Sequence, residues 1–253
     1  MKIVVCLKQV PTREWQPRVD DSGRWIRDAD VSYELNEPDA YALEEALRLR
    51  EKHGGEVVAC SAGPARVQTV LREALARGAD RAIHVDSDAL AAADAAAIAA
   101  TIEGALREEP FDLVLTGLQS DVQGHAQTGV VLAERLGIPH STIIMQVEVL
   151  SGQVRVKREL EDGWFQHLQM PLPAVLTIQS GLNKLRYATL MGIKKAKTKE
   201  LKVVTAAEVA QASAVIEKIY APEKNKQGQI FDGDAKSAAA KLVEKLRFEA
   251  RVL

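Results

Sequence analysis

Residues 111–137, FDLVLTGLQSDVQGHAQTGVVLAERLG, decide the fold of this 253-residue chain. An apolar run at 111–116 leads into a loop that holds three glycines, and an amphipathic segment at 127–136 ends at Gly137. The apolar run is typical of a buried strand, and the later segment is typical of a helix. A strand, a glycine-containing loop and a helix in this order predict one unit of an α/β sheet.

The same unit recurs along the first half of the chain. Predicted strands alternate with predicted helices, and Asn36 stands at the cap position of the first helix. The strands are at 2–10, 57–61, 81–85 and 111–116, and the helices at 37–53, 64–77, 89–107 and 127–136. This alternation with short loops predicts an α/β fold with a mainly parallel, doubly wound sheet and helices on both faces.

The pattern changes after Pro139. Segments 146–150, 153–159 and 164–170 alternate apolar and polar residues around two glycine-containing turns, which predicts antiparallel hairpins added to the sheet. From 201 the chain becomes less regular, apart from a final predicted helix at 235–250. We therefore expect an α/β nucleotide-binding domain at 1–200 and an extended C-terminal tail at 201–253 that wraps around a partner.

The glycine loop at 117–129 is a candidate anion site. It opens a helix, and the N–H groups at a helix N-terminus bind phosphate well. Its spacing matches neither the dinucleotide fingerprint nor the Walker lysine loop, so a flexible surface loop remains an alternative. Residues 6–9 and Asn36 are expected on the same rim, because ligands of such sheets sit beyond the carboxyl ends of the strands.

A second candidate interaction site follows the strand at 174–178. Segment 182–199, LNKLRYATLMGIKKAKTK, interleaves apolar residues with lysine and arginine. That mixture suits an apolar anchor ringed by charge better than a core segment. It predicts a protein-docking loop.

Composition narrows the remaining possibilities. The formal net charge of −2 does not suggest a nucleic-acid partner. The longest apolar run, 89–102, is too short and too weakly hydrophobic to span a bilayer, and the N-terminus leads directly into a strand, so we expect a cytoplasmic protein without direct membrane insertion. Cys6 and Cys60 are interpreted as small core residues in preference to a disulfide or redox pair. The five histidines lack metal-ligand spacing, and no metal site is expected.

The docking segment, together with VKRELEDG at 156–163, resembles the signature of the β subunit of electron transfer flavoprotein. The resemblance extends over nearly the whole chain, through KIVVCLKQV, LEEALRLREK, GADRAIHV and DLVLTGLQ. It implies an electron carrier that is not itself an enzyme and that pairs with an α subunit. The α subunit chiefly holds the redox FAD, which takes electrons from a flavin dehydrogenase and passes them to a quinone-linked oxidoreductase or another acceptor.

The resemblance also implies which residues bind cofactors. Those matching the AMP-contacting segments of the family are Cys6, Asn36, Ala62, Gly117, Gln119, Gln127, Thr128 and Gly129. Arg13 matches the position that faces the flavin, and its alternative is an ordinary exposed loop charge. Residues 121–125 depart from the family, because many members carry consecutive acidic residues there.

By the same resemblance, part of the docking segment contacts the electron-transfer partner. The residues expected at the contact are Tyr187, Leu190, Met191, Ile193, Lys194 and Lys195, with Leu190 as the anchoring leucine. The alternative is that Leu190 packs internally and the lysines form a solvated face.

Two other functions compete with the AMP-binding carrier. One is a subunit of an electron-bifurcating complex that holds a second FAD in place of AMP and oxidises NADH. Such relatives tend to have valine-glycine-proline where this chain has Thr128-Gly129-Val130, which favours AMP. The other is a nucleotide-sensing module related by fold alone, such as a universal-stress-like protein, which would lack both the signature segment and the tail.

Overall fold

The computed structural model describes residues 1–14, 16, 18–27, 31–206, 209–223 and 228–252. The chain divides into two compact units, Met1–Lys218 and Ile219–Leu253. No helix within the described ranges is long and apolar enough to cross a membrane.

The described residues of the first unit form eleven strands and five α-helices. The strands are β1 Lys2–Cys6, β2 Gln9–Pro11, β3 Tyr33–Leu35, β4 Glu56–Gly63, β5 Arg81–Asp86, β6 Leu113–Gly117, β7 His140–Leu150, β8 Gln153–Glu159, β9 Phe165–Pro171, β10 Ala174–Ile178 and β11 Leu201–Thr205. The helices are α1 Glu37–His53, α2 Gln68–Arg77, α3 Ala95–Leu106, α4 Thr128–Leu136 and α5 Leu190–Ala196.

Nine of the strands form one sheet in the order β11-β5-β4-β1-β6-β10-β7-β8-β9. The strands from β11 to β7 run parallel, whereas β8 and β9 add to one edge as antiparallel hairpins. The predicted mainly parallel sheet with added hairpins is confirmed. Residues 201–205, which the sequence places in the tail, form the edge strand β11 beside β5.

Helices cover both faces of the sheet, as the doubly wound prediction requires. On β1, Ile3 packs with Leu43 and the other apolar residues of α1 and α2. The next residue, Val4, points to the opposite face and packs with Ile102 of α3 and Leu132 of α4. This alternation along one buried strand is why its sequence is continuously apolar.

The order of the central strands places a crevice at the end of β1. The chain passes from β1 outward through β4 to β5 and then returns across the sheet to β6, on the other side of β1. The connection after β1 therefore leads to one side of the sheet, and the connection after β5 leads to the other side. Ligands of open α/β sheets bind where the strand order reverses in this way.

The first predicted strand, 2–10, is interrupted. The sheet strand ends at Cys6, and residues 9–11 leave to pair antiparallel with Tyr33–Leu35. The backbone N–H of Lys8 bonds to the Asp39 carboxylate instead of a neighbouring strand. Lys8 is thereby turned toward the crevice.

The docking segment also differs from the predicted loop. Residues 190–196 form α5, and Leu182 and Leu185 pack against the core. Folding requirements therefore explain these two leucines, which the sequence had assigned to a surface without a folding role.

In the described part of the second unit, residues Ala235–Phe248 form helix α6, close to the prediction of 235–250. The Asp234 carboxylate caps it by accepting bonds from the N–H groups of Lys236 and Ser237. No residue of α6 is buried, and Phe248 is 69% exposed.

Candidate functional site

An open cleft lies beyond the carboxyl ends of β1, β4 and β6. The cleft lining includes eight of the nine residues expected to bind cofactors: Cys6, Asn36, Ala62, Gly117, Gln119, Gln127, Thr128 and Gly129. They come from four separate stretches of sequence, and the fold brings them to one place. That they contact a nucleotide stays a prediction.

Asp39, in the first turn of α1, connects the ends of two strands at the base of the cleft. One carboxylate oxygen, Oδ2, accepts a bond of 2.7 Å from the Lys8 N–H, and the other, Oδ1, accepts a bond of 2.8 Å from the Gly117 N–H. Burial raises the pKa of Asp39 to about 6, although these backbone bonds and the charge of Lys8 oppose the shift. Sequence reasoning missed this residue, because an acidic side chain in a first helical turn is also common where no site exists.

Gly117 allows β6 to end directly against α1. A Cβ atom at this position would lie 2.4 Å from Asp39 Oδ1 and 2.7 Å from the Pro38 carbonyl carbon. Any side chain would push the loop at 117–129, which we call the cleft loop, away from the helix. The sequence singled out this glycine for its possible phosphate contact, whereas its packing against Asp39 supplies a structural reason.

Asn36 braces the cleft loop. Its side chain makes no capping bond to α1, although it occupies the N-cap position. Its amide Nδ2 donates to the Gln119 carbonyl, and its Oδ1 accepts from the Asp121 N–H, each at 3.0 Å. Asn36 therefore stands at the predicted cap position, but its side-chain amide bonds to residues 119 and 121 and does not cap α1.

Lys8 lies in the stretch 6–9 that the sequence analysis places on the rim, although its ammonium was not singled out there as a binding group. Its side chain is half-buried in the cleft, where Nζ donates to Gln123 Oε1 at 2.8 Å and lies 3.5 Å from Ser120 Oγ. Burial lowers the pKa of this ammonium, and the nearby Asp39 carboxylate opposes that shift. The position of Lys8, just after a buried strand, was the one feature of the sequence that could have identified it as a cation of the cleft.

The N-terminus of α4 opens into the same cleft. The helix begins at Thr128, and Gln127 at the cap position makes no side-chain capping bond. The first N–H groups of a helix have no acceptor within the helix, and its dipole favours negative charge at that end. The donors expected from the sequence are therefore present at the rim.

An apolar wall completes the cleft. It includes Val67, Leu90, Ile98 and Ile102, together with Cys6. Burial raises the pKa of Cys6 well above its ordinary range and that of Cys60 to about 12, so both thiols stay protonated. Both cysteines are free and buried, which agrees with their interpretation as small core residues. Apolar walls with polar groups at one end suit a planar base joined to an anion.

Arg13 is the one predicted cofactor residue outside the cleft lining. Its side chain is 69% exposed, pairs with Glu37, and lies 3.8 Å from an Asp121 carboxylate oxygen. The structure therefore places it at the outer end of the cleft loop. Its relation to a flavin stays a prediction.

The docking residues form an exposed apolar surface, which we define as the α5 patch: Tyr187, Leu190, Met191 and Ile193. Tyr187 is 87% exposed and Leu190 81% exposed, so the alternative that Leu190 packs internally is wrong. Lys194 and Lys195, in the last turn of the helix, are exposed beside the patch. Their contact with a partner stays a prediction.

Ion pairs and backbone bonds hold the α5 patch in place from beneath. The Arg186 guanidinium donates to the carboxylates of Glu44 and Glu51 on α1, and this pairing raises the pKa of Arg186 and lowers those of both glutamates. Lys199 Nζ donates to the Leu75 carbonyl at 3.1 Å, and Arg72 donates to the Ala196 carbonyl at 2.7 Å. The patch is therefore exposed but firmly attached.

Comparison with known proteins gives consistent matches over this fold. Residues 24–209 match the family model described as the electron transfer flavoprotein domain. The chain is 37% identical to "Electron transfer flavoprotein subunit beta" of Methylophilus methylotrophus, over 96% of this chain and 97% of the relative. It is 38% identical to "Electron transfer flavoprotein subunit beta, mitochondrial" of Oryza sativa subsp. japonica over the full length of both. It is also 33% identical to "Protein FixA" of Azotobacter vinelandii, over 97% and 94% of the two chains.

Proposed function

The chain belongs to the electron transfer flavoprotein family, as a relative of its beta subunits, and on that premise we propose that it is half of a two-subunit electron carrier. With an α subunit, it would carry electrons from flavin dehydrogenases to a quinone-linked oxidoreductase or another acceptor. The match over nearly the entire chain is the observation that carries this proposal. A cytoplasmic location is part of the same proposal, and cell fractionation would test it.

AMP is the proposed ligand of the cleft, in a structural role. Support comes from the donor set: the uncapped N-terminus of α4 and the Lys8 ammonium suit a phosphate, while the apolar wall suits a base. The cleft loop is already braced by Asn36 and Asp39. A bound nucleotide would therefore stabilise a loop whose path is largely fixed.

FAD is the proposed redox group, held chiefly by the α subunit. Bound flavin supplies the capacity to accept and release electrons, whereas the protein supplies position and electrostatics. From this chain, the outer end of the cleft loop with Arg13 would cover one side of it. Arg13 is kept in place there by Glu37 and Asp121.

The α5 patch is the proposed contact for the flavin dehydrogenase. Large apolar side chains exposed next to lysines fit a hot spot with a charged rim. The ion pairs of Arg186 hold this surface in a fixed orientation. A fixed anchor would allow the flavin-bearing part of the carrier to sample transfer geometries while it stays attached.

Cofactor content tests the carrier proposal directly. The chain is co-expressed with its α subunit, the purified complex is denatured, and the released AMP and FAD are quantified. We expect about one AMP and one FAD per heterodimer, since the chemistry requires a single redox flavin. Two FAD molecules without AMP would replace this proposal with the bifurcating alternative, and NADH oxidation would then be measured.

The dehydrogenase contact is tested with Leu190→Ala. We expect flavin reduction by the dehydrogenase to slow by about tenfold or more, because a central apolar hot spot contributes about 2 kcal/mol or more. Val203→Ala on β11 is the control, because Val203 is also an exposed apolar side chain, at 49%. Equal rates for the wild type and Leu190→Ala would refute this assignment of the α5 patch.

A further inference from the structure

Lys8 is a cleft cation whose described partners are all neutral. Its ammonium donates to an amide oxygen of Gln123 and approaches the hydroxyl of Ser120. The nearest carboxylate, that of Asp39, accepts a bond from the Lys8 backbone N–H and not from Nζ. Within the described part of the chain, no ion pair includes this ammonium.

A half-buried ammonium that forms no ion pair is costly to desolvate, and the nearby Asp39 carboxylate only partly offsets that cost, because the pKa of Lys8 is still lowered. Desolvation at this position is the main cause of the lowered pKa of Lys8. An apolar residue at position 8 would avoid that cost. The cation is therefore better explained by a ligand than by packing.

The side chains of Arg66 and Asp39, which also line the cleft, already have partners within the protein. The Arg66 guanidinium donates to Gln9 Oε1 at 2.8 Å and lies over the Tyr33 ring, 4.1 Å from its centre. Both oxygens of Asp39 accept backbone N–H groups. Lys8 is thus the cleft cation that an incoming anion can pair with most directly.

We propose that Lys8 recognises the phosphate group of a nucleoside monophosphate, and so makes the cleft selective for the nucleotide over the nucleoside. This inference rests on the proposed nucleotide-binding function of the cleft. On ligand entry, Nζ would exchange one of its neutral oxygen partners for a phosphate oxygen. Hydrogen bonds to charged groups are stronger than neutral ones, and we expect the pairing to favour AMP over adenosine by about 10- to 100-fold.

Isothermal titration calorimetry tests this inference with the full chain after removal of bound nucleotide. AMP and adenosine are titrated into the wild type, Lys8→Gln and Lys8→Arg. The glutamine amide can still donate to Gln123 but carries no charge, so it separates loop support from charge recognition. Lys52→Gln is the control, because Lys52 is exposed near the far end of α1.

We expect Lys8→Gln to bind AMP about tenfold or more weakly, with adenosine affinity unchanged, and Lys8→Arg to recover most of the preference. Added salt should weaken AMP binding to the wild type more than to Lys8→Gln. Retention of the AMP preference in Lys8→Gln would overturn the inference, and so would an equal loss for both ligands, which would make Lys8 a loop support only. Binding of neither ligand by the wild type would instead refute the proposed nucleotide cleft, and the role of Lys8 with it.

Discussion

The cleft and the α5 patch are both formed by segments that follow strands of the main sheet, yet they differ in how they are exposed to solvent. In the cleft, the polar groups of Asn36 and Asp39 are tied to other parts of the chain, and the open space is bounded on several sides. On the α5 patch, Tyr187 and Leu190 present apolar area that is more than four-fifths exposed. The difference indicates a site preformed for a small ligand and a surface left open for a larger partner.

In each region, nevertheless, a glycine allows the backbone to pack closely against a neighbouring helix. A Cβ atom at Gly117 would lie 2.4 Å from Asp39 Oδ1, and one at Gly192 would lie 2.3 Å from the Ala76 carbonyl oxygen. The first contact fixes the cleft loop on α1, and the second seats α5 on α2. Substitutions at and around these contacts show how far the two regions are independent.

Gly117→Ala should have the largest effect. The added methyl group meets the Asp39 carboxylate and the backbone of Pro38, neither of which can move without displacing α1. We expect the free energy of unfolding to fall by about 3 kcal/mol or more, as for severe overpacking, together with loss of nucleotide binding. Urea unfolding measures the first effect and calorimetry the second.

Gly104→Ala is the matched control, because a Cβ atom there meets nothing within 4 Å. It lies inside α3, where alanine should stabilise the protein by about 0.5–1 kcal/mol. If Gly117→Ala were as stable as the wild type, the close contact between β6 and α1 would not exist in solution.

The buried carboxylate of Asp39 should make stability depend on pH. Its pKa in the folded protein, about 6, lies above the ordinary value of 3.8, so the folded state binds a proton more tightly than the unfolded state. This contribution is complete below pH 3.8 and is lost as the pH rises through 6. We expect the free energy of unfolding to decrease over that range by about 3 kcal/mol from this group.

Asp39→Asn isolates that contribution, because asparagine does not titrate and keeps one carbonyl acceptor for the backbone. Urea unfolding of the wild type and of Asp39→Asn is measured from pH 4 to pH 7.5. As the pH rises over this range, the stability of the wild type should fall relative to that of Asp39→Asn. Lys8 is the charged neighbour that acts on Asp39. A flat difference curve would mean that Asp39 titrates in the folded protein as it does in the unfolded chain.

The base of the α5 patch should be sensitive in the opposite pH direction. Arg186→Ala removes one of the two arginine partners of the buried Glu44 carboxylate, the other being Arg48, and we expect a loss of about 2 kcal/mol at pH 7. The lowered pKa of Glu44 means that this stabilisation is present above its ordinary value of 4.5 and is lost as the pH falls through the folded value. Unfolding curves of the wild type and Arg186→Ala should therefore differ less at pH 3.5 than at pH 7.

Arg155→Ala provides the comparison for Arg186→Ala, since the pair of Arg155 with Glu148 is exposed on the β8 hairpin. Exposed pairs contribute about 0–1 kcal/mol, so little change is expected. Similar losses in the two variants would mean that Arg186 holds α5 no more firmly than an ordinary surface pair.

The sequence predicted the strands of the main sheet, but it missed the point at which the first of them ends. Apolar runs such as 111–116 predicted the parallel strands, because burial on both faces leaves a clear periodic signal. The interruption after Cys6 was missed, since Val10 extends the predicted strand although Gln9–Pro11 pairs with β3 instead. A local pattern does not specify which neighbour a short strand pairs with.

The predicted cleft residues were found through a family resemblance, and the residues that position them were not. Asp39 acts on Gly117, 78 positions later, and Lys8 acts on Gln123, 115 positions later. Neither separation carries a sequence signature, because the contacts exist only after the sheet brings the strand ends together. The same holds for Arg186, whose partner Glu44 lies 142 positions away.

Leu190→Ala should have the smallest effect on stability, because the α5 patch, unlike the cleft, exposes its apolar side chains. With 81% of Leu190 already exposed, truncation removes little buried area, and we expect the free energy of unfolding to change by less than about 0.5 kcal/mol. Leu47→Ala, at a fully buried leucine of α1, should lose about 2–5 kcal/mol by the same urea measurement. If Leu190→Ala approached that loss, its side chain would be covered in the isolated chain, and the α5 patch would belong to the interior and not to a partner. A leucine that contributes to partner coupling but not to folding is what an open docking surface requires, because its apolar area is buried only on association.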